Sequence, residues 1–122
     1  KNKHMERKAQ CSLRTQRRLW GLKQEELANL LGVRGADQIS RFERGERTPT
    51  LNVALACELL FDQPPRDLFP QVQEPVEELL IRRVYAMYER LVKETGEATI
   101  RKLELIEACR KRMVINIKID DL

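Results

Sequence analysis

The stretch of this chain that decides its fold is QEELANLLGVRGADQISRFERG, residues 24–45. Apolar side chains recur in it at helical spacing on both sides of one glycine: Leu27, Ala28, Leu31, Ile39 and Phe42. The small side chain of Ala28 lets two helices cross closely, and Gly32 supplies a turn conformation that strains any residue with a side chain. Gly45 ends the second helix. The stretch therefore predicts two packed helices joined by a tight turn, with the outer face of the second helix left free.

Further helices flank this pair. Helical spacing and stop signals predict five helices in the first part of the chain, over about residues 13–20, 24–31, 36–44, 51–59 and 66–69. Thr50 is the expected cap of the fourth helix. The bulky side chain of Trp20 is expected to pack between helices rather than to stack on a base.

The sequence after the fifth helix has a different organisation. Residues 71–75 have the composition of a linker. Two apolar stripes at helical spacing follow, one ending near Lys93 and one near Met113, with Gly96 between them, and they predict a helical hairpin. In residues 114–122 isoleucine alternates with polar residues, which predicts a short C-terminal strand. We therefore expect an all-α fold of five helices, followed by a helical hairpin and this short strand.

Composition and charge agree with a helical protein that binds a polyanion. The chain has 122 residues, of which 42% are hydrophobic and 34% are charged, and it contains only five glycines and five prolines; this balance favours helices. Residues 1–49 hold 12 Lys and Arg against 6 Asp and Glu, whereas residues 50–122 hold 11 against 13. A basic N-terminal part is typical of a chain that binds nucleic acid at one end, although charge alone fits a solvated basic surface equally well.

The sequence lacks the patterns of several other function classes. Its three cysteines, Cys11, Cys57 and Cys109, have neither zinc-ligand nor disulfide-framework spacing, and its one histidine is His4 in the N-terminal tail. No Ser/His/Asp set or phosphate-binding loop is recognisable, so we expect no enzyme, no metal site and no cofactor. The apolar runs fit neither a signal peptide nor a membrane span. We expect a cytoplasmic, nucleoid-associated protein that does not contact a membrane.

The opening stretch is followed by GERTPTL at residues 45–51 and by RDLF at residues 66–69. Together these segments resemble the phage-repressor/Cro-type (Xre) helix-turn-helix family over about residues 12–69. The resemblance implies a five-helix lambda-repressor-like domain that binds double-stranded DNA, and a transcriptional regulator, in particular a repressor. The chain then divides into a flexible tail, the DNA-binding domain, the linker and a helical dimerisation or packing extension: residues 1–11, 12–70, 71–75 and 76–122.

The resemblance also implies which side chains meet DNA. The exposed front of the third helix, which reads bases, holds Ala36, Asp37, Gln38 and Arg41. Gln38 suits adenine and Arg41 suits guanine, because each side chain can form two hydrogen bonds to that base in the major groove. The expected phosphate contacts are Lys23, Gln24, Arg34, Arg44 and Arg47, of which Gln24 alternatively meets a base edge. Arg17 and Glu43 match the family's buried ion pair between the first and third helices.

Two departures from the family pattern bear on these roles. The spacing from Gly32 to Gly45 is one residue longer than usual, which leaves the register of the third helix open by one position. Asp37 then either caps that helix or faces a base. Lys23 replaces the serine or threonine that often caps the second helix; a lysine has no acceptor atom, but it can neutralise a phosphate.

The C-terminal extension has several interpretations. Its stripes predict a homodimer interface, because a twofold dimer matches two half-sites roughly 34 Å apart. The candidate dimerisation residues are Leu80, Val84, Met87, Leu91, Leu103, Ile106, Ile115, Ile117 and Ile119. A hairpin that packs only within its own subunit is one alternative, and an antitoxin that binds a protein toxin through residues 76–122 is another. A thiol sensor at Cys11, Cys57 or Cys109 is a further alternative, since cationic neighbours of Cys109 would stabilise a thiolate.

Overall fold

The structure, a computed structural model, describes the backbone of residues 12–121 and the side chains of residues 13–113. Over residues 12–121 its regular structure is entirely helical, in agreement with the all-α prediction. The seven helices are α1 (Ser12–Leu19), α2 (Gln24–Leu31), α3 (Ala36–Glu43), α4 (Leu51–Phe61), α5 (Pro65–Leu68), α6 (Pro70–Leu91) and α7 (Glu97–Asp121). Two compact units divide between Glu74 and Pro75, and we call them the N-terminal and the C-terminal unit. None of the described helices is both long and apolar enough to cross a membrane.

The N-terminal unit has one hydrophobic core, to which each of the helices α1 to α5 contributes. The apolar residues predicted to face inward on α2 and α3 lie in it, and α4 and α5 add an aromatic and aliphatic layer. Its buried members are Leu13, Leu27, Ala28, Ile39, Phe42, Cys57, Phe61, Leu68 and Phe69. Because α3 and α4 share this core, the position of α3 is set by packing against the rest of the unit.

The turn between α2 and α3 has the geometry that the sequence predicts. Gly32 follows α2 with a φ of 70°, in the left-handed region that disfavours residues with a side chain. The next amide, that of Val33, donates to the carbonyl oxygen of Ala28 at 3.0 Å, so the turn closes on the end of α2. At the other end of α2, the amide of Lys23 donates to Oε1 of Glu26 at 2.8 Å. That bond, rather than a side chain at position 23, stabilises the start of α2.

Helix boundaries differ from the prediction at Trp20. We expected α1 to include Trp20, but α1 ends at Leu19 and Trp20 lies in the following turn, where it is exposed. Leu13 and Arg17, earlier on α1, are buried. Because the helix ends before Trp20, the indole leaves the face that these two residues share, and its expected packing role is wrong.

The predicted C-terminal strand is also wrong. Helix α7 continues to Asp121 and therefore covers the backbone of residues 114–121; the side chains of Ile115, Ile117 and Ile119 lie outside the described residues. A lone strand would need another strand for its backbone hydrogen bonds, whereas a helix makes them within itself. The alternating pattern is too short to outweigh the continuing helix.

Residues 71–75, the expected linker, lie inside α6. The helix begins at Pro70, where the missing N–H and fixed φ of proline suit a first helical position. Pro75 also lies within α6 and has no N–H to donate to the carbonyl oxygen of Gln71. The two units divide at this proline. The assignment of a DNA-binding domain and a dimerisation or packing extension to them stays a prediction.

The C-terminal unit consists of the rest of α6 together with α7, and it has its own small core. Val84 and Leu91 of α6 are buried with Ile106 and Met113 of α7. The residues packed against them are Ile81, Met87, Leu103 and Cys109. The two apolar stripes of the sequence therefore pack against each other within one chain.

Candidate nucleic-acid interface

Helix α3 has one buried face and one open face. Ile39 and Phe42 are buried in the N-terminal core, whereas Asp37 and Arg41 are exposed and Gln38 is half-buried. The predicted base-reading residues thus share one helix whose other face is held by the core. Ala36, the first residue of α3, is half-buried, so it is less accessible than Asp37 and Arg41.

The start of α3 shows that Asp37 is not the residue that caps this helix. The residue at the N-cap position is Gly35, in an extended conformation, and it has no side chain to bond the helix. Asp37 lies in the first turn of α3, where the helix dipole stabilises a negative charge. Helix α3 therefore begins at Ala36 with Gly35 as its N-cap residue, and the alternative in which Asp37 caps the helix is wrong.

A buried carboxylate, that of Glu43, joins α3 to α1. Its side chain is fully buried, and its Oε2 accepts from Nε of Arg17 at 2.6 Å. A second bond runs from Nη2 of Arg17 to Oε1 at 3.2 Å. The remaining nitrogen of the Arg17 guanidinium, Nη1, donates to the carbonyl oxygen of Leu22 at 2.9 Å. The two residues expected to form an ion pair thus lie together in a two-bond geometry that fixes their orientation.

Two further residues bind the same carboxylate, and the sequence alone did not indicate either of these contacts. Nε2 of Gln24 donates to Oε1 of Glu43 at 3.1 Å, and Nε of Arg14 approaches that oxygen at 3.4 Å. Arg14 precedes Arg17 by three residues, a spacing that places both on one face of α1 and is the signal that could have found it. Gln24, expected to meet a phosphate, is thereby oriented at the first residue of α2.

The other expected phosphate contacts are at the surface. Lys23, Arg34 and Arg47 are exposed. Arg44 is also exposed, but its Nη2 lies 3.3 Å from Oε1 of Glu46. An exposed ion pair of this kind is weak, so the guanidinium of Arg44 can exchange Glu46 for a phosphate at little cost. These cations lie before α2, before α3 and directly after α3.

The first turn of α6 packs over the end of α3. Gly45 has a φ of 73°, and a Cβ added there would lie 3.3 Å from Cγ of Gln71. The amide nitrogen Nε2 of Gln71 is buried without a hydrogen-bond partner. Gln71 was expected to belong to a linker, so its contact with the turn after α3 was not foreseen. Gly45 accordingly supplies both a left-handed turn and room for this side chain.

The candidate dimerisation residues fall into three groups in the structure. Val84, Leu91 and Ile106 are buried in the core of the C-terminal unit, and Met87 and Leu103 pack against it. Leu80 is exposed. The side chains of the last three candidates, Ile115, Ile117 and Ile119, lie outside the described residues. Most of the described stripe is therefore occupied within one chain.

The ionisable groups with a shifted pKa lie in the C-terminal unit. Arg110 donates to both carboxylate oxygens of Glu107, three residues earlier on α7. These hydrogen bonds lower the pKa of Glu107 and raise the pKa of Arg110. Both side chains are partly exposed, so the pair contributes little stability and marks a helix surface rather than a site. Arg110 is one of the cationic neighbours that were expected to stabilise a thiolate at Cys109, and it is paired with the carboxylate of Glu107.

Comparison with known proteins gives one match. A family model described as helix-turn-helix matches residues 13–68, a segment that begins in α1 and ends with the last residue of α5. No curated protein and no solved structure gives a significant match. The match covers the five helices that build the N-terminal core and excludes most of α6 and all of α7.

Proposed function

Residues 13–68 of this chain belong to the helix-turn-helix family of Xre and lambda-repressor-like regulators, and we propose that it is a sequence-specific repressor that binds a palindromic operator as a dimer. The coarser statement, a DNA-binding transcriptional regulator, follows from the family. The observation that carries the rest is the open face of α3, which presents Gln38 and Arg41 from a helix anchored through buried Ile39 and Phe42.

In this proposal α3 lies in the major groove, which is about 12 Å wide and admits one helix. Arg41 forms two hydrogen bonds with the O6 and N7 atoms of guanine, and Gln38 forms two with adenine. Asp37, exposed in the first turn of α3, can accept only from a donor such as cytosine N4. It therefore disfavours any placement that brings a phosphate next to it, which adds to specificity.

Phosphate contacts would hold α3 in register. Lys23 and Gln24 lie at the start of α2, Arg34 lies before α3, and Arg44 and Arg47 lie after it. Contacts on both sides of a recognition helix fix its position along the groove without reading sequence. Gln24 can serve this purpose while bonded to Glu43, because its Nε2 carries a second hydrogen that can be donated to a phosphate oxygen.

Repression would follow from occupancy of the operator. A twofold dimer presents two α3 helices to half-sites about one DNA turn apart. The protein would work with the DNA in the cytoplasm, and no cofactor is needed for this mechanism.

The test is selection of bound sites by the full chain from random duplex DNA. We expect a palindrome whose half-sites contain a guanine and an adenine within a few base pairs, as two-bond contacts from Arg41 and Gln38 require. The half-sites should be separated by about 10 base pairs, centre to centre. An ungapped single site would contradict the dimer, and enrichment of no sequence at all would contradict base reading.

An antitoxin that binds a protein toxin through residues 76–122 is the second candidate. The observation that favours it is an open, shallow depression along α7, lined by apolar Ile100, Leu103 and Ala108 and by charged Glu104, Glu107 and Lys111. Both candidates include DNA binding, so they differ in the role of the C-terminal unit, and a unit that folds only with a partner would favour the antitoxin.

A further inference from the structure

Helix α4 carries a row of leucines that the fold of one chain leaves exposed. Leu51, Leu55 and Leu59 follow one another at intervals of four residues and therefore lie on one face. Their exposed fractions are 72%, 47% and 86%. The opposite face of α4 contributes Cys57 and Phe61 to the N-terminal core. A contiguous exposed apolar row of this kind marks an interaction site, and we call it the leucine row.

We propose that the leucine row is the contact between two copies of this chain, paired about a twofold axis that passes beside Leu55. The inference rests on the proposed function, because it names the surface through which a dimer on a palindromic operator would form. In such a pair the two α4 helices run antiparallel, so Leu55 faces Leu55, and Leu51 of each copy faces Leu59 of the other. The row has the same residue type at every position, so it is complementary to itself.

The charges at the end of α4 select this antiparallel arrangement. Asp62, exposed, follows the row at its C-terminal end, and the exposed Glu58, three residues after Leu55, borders the row. Antiparallel pairing about Leu55 places Glu58 opposite Asn52 of the other copy, whereas parallel pairing would place it opposite Glu58. At a rise of 1.5 Å per residue, antiparallel pairing about Leu55 separates the two Asp62 residues by about 21 Å along the helix axis. Parallel pairing would bring these two carboxylates face to face, which is unfavourable.

The location of α4 also suits a second copy of the chain. Its buried face packs in the same core as Ile39 and Phe42 of α3, so a contact through α4 fixes the distance between two recognition helices. Two half-sites at a set spacing require such a fixed distance. The candidate residues on α6 and α7 belong to the other compact unit, and most of those described are occupied by its core.

The size of the leucine row predicts a weak dimer in free solution. Three leucines per copy cover much less than the roughly 800 Å² per partner of a typical stable interface. On DNA, however, two copies at adjacent half-sites are at a high effective concentration. The contact should therefore appear as cooperative binding to DNA that contains both half-sites.

The experiment measures binding of the full chain to duplexes with one or both selected half-sites. For the parent we expect at least tenfold tighter binding per half-site when both are present. In the double variant Leu51→Glu/Leu59→Glu this advantage should fall to about onefold, while affinity for one half-site stays within twofold. Both leucines are largely exposed, and the unfolding midpoint verifies that the variant is folded. The matched control is Leu105→Glu on α7, a leucine that is 65% exposed, and it should keep the parent's cooperativity.

A cysteine on the twofold axis gives an independent measurement. With an added oxidant, copper–phenanthroline, Leu55→Cys should form a disulfide-linked dimer, because a residue beside the axis faces its own copy. Cys11 and Cys109 are replaced by serine in every chain compared, so that the native cysteine left is the buried Cys57. In that background the chain with Leu55 unchanged should not form the dimer, and neither should Leu60→Cys, which is on a different face of α4. Equal cross-linking of the two variants would overturn the proposal.

The remaining outcomes are also decisive. Cooperativity that survives in Leu51→Glu/Leu59→Glu would overturn the leucine row as the contact, as would its absence from the parent. Cooperativity lost in Leu105→Glu instead would move the contact to the C-terminal unit. If the parent did not bind even a single half-site, that result would contradict the proposed DNA-binding function. The cross-linking of Leu55→Cys would then decide by itself whether the leucine row is the contact between two copies.

Discussion

Glu43 shows how one buried residue can organise the candidate DNA interface. Its carboxylate belongs to α3 and is bonded by Arg17 and Arg14 of α1 and by Gln24 of α2. A buried charge is tolerated only when it is paired and its hydrogen-bonding capacity is used. The three donors meet that requirement, and in doing so they fix the relative positions of three helices. Helix α3 is thus held at its C-terminal end by charge and along its length by packing.

Glu43→Gln should therefore be strongly destabilising. The substitution keeps the shape of the side chain but leaves the buried Arg17 guanidinium without a negative partner, a change that typically costs about 3–5 kcal/mol. Urea unfolding should show a lower midpoint with an unchanged slope. The control is Glu46→Gln, which removes the exposed partner of Arg44 and should cost less than about 1 kcal/mol. Equal midpoints for the two variants would show that Glu43 is not a structural charge.

Arg41→Ala tests base reading at the one exposed arginine of α3. We expect a loss of about 1–3 kcal/mol on the selected operator and a relaxed preference at one base pair, because a two-bond guanine contact is removed. Arg47→Ala, outside α3, should instead weaken binding to all duplexes alike and reduce the slope of log K against log salt concentration by about 1. Titrations of matched and mismatched duplexes at several salt concentrations separate the two. An unchanged base preference in Arg41→Ala would refute the role given to this residue.

Among the elements, the segment between α2 and α4 determines how α3 is presented. It contains the left-handed Gly32 and Gly45 on either side of α3, and it ends at Thr50, whose Oγ1 accepts from the amide of Val53 at 3.3 Å. This bond uses one of the amides that every helix start leaves without a partner in the helix. The cap fixes where α4 begins, and hence how the chain leaves α3.

Thr50→Ala should destabilise the N-terminal unit by about 1 kcal/mol, since the cap bond to Val53 is lost. Thermal unfolding should show a midpoint lowered by a few degrees. Thr50→Ser keeps an acceptor oxygen and should recover most of the loss. Thr48→Ala, at an exposed position before the helix, is the matched control. If Thr50→Ser unfolds no later than Thr50→Ala, the hydroxyl is not what stabilises this helix start.

At the scale of the whole molecule, the chain combines two units with separate cores. The N-terminal unit buries residues from five helices, whereas the C-terminal unit depends on Val84, Leu91, Ile106 and Met113, together with the side chains packed on them. A core of this size on two helices gives limited stability. The state of the C-terminal unit in the isolated protein is therefore informative about its role.

Hydrogen exchange on the full chain without any partner tests this point. If the small core forms unaided, amides near Leu91 and Ile106 should exchange at least tenfold more slowly than those at residues 92–96 between α6 and α7. The amides of α2 to α4 provide the internal reference for a folded unit. Exchange at the same rate throughout residues 76–113 would mean that this part folds only on a partner, which would favour the antitoxin candidate over a self-sufficient repressor.

The sequence by itself determined most of the N-terminal unit. Local signals place its helices: the helical spacing of Leu27, Ala28 and Leu31, the glycine at position 32 and the cap at Thr50 all act within a few residues. The same local signals misplaced the C-terminal strand, because a short alternation of isoleucines does not show whether a partner strand is present. The helix-turn-helix match over residues 13–68 was also expected, from the resemblance that the motifs in this part of the chain carry.

Only the tertiary structure decided which distant side chains meet. The paired charges of Arg17 and Glu43 were expected from the family resemblance, but the additional bonds from Gln24 and Arg14 depend on how three helices cross. Likewise, the sequence could not decide whether Asp37 caps α3 or show that the stripes of α6 and α7 pack on each other. Helix formation depends on neighbours along the chain, whereas hydrogen bonds and burial between helices depend on the crossing of segments far apart in sequence. The opening stretch of sequence thus determined a helical pair, and packing decided what each face of that pair touches.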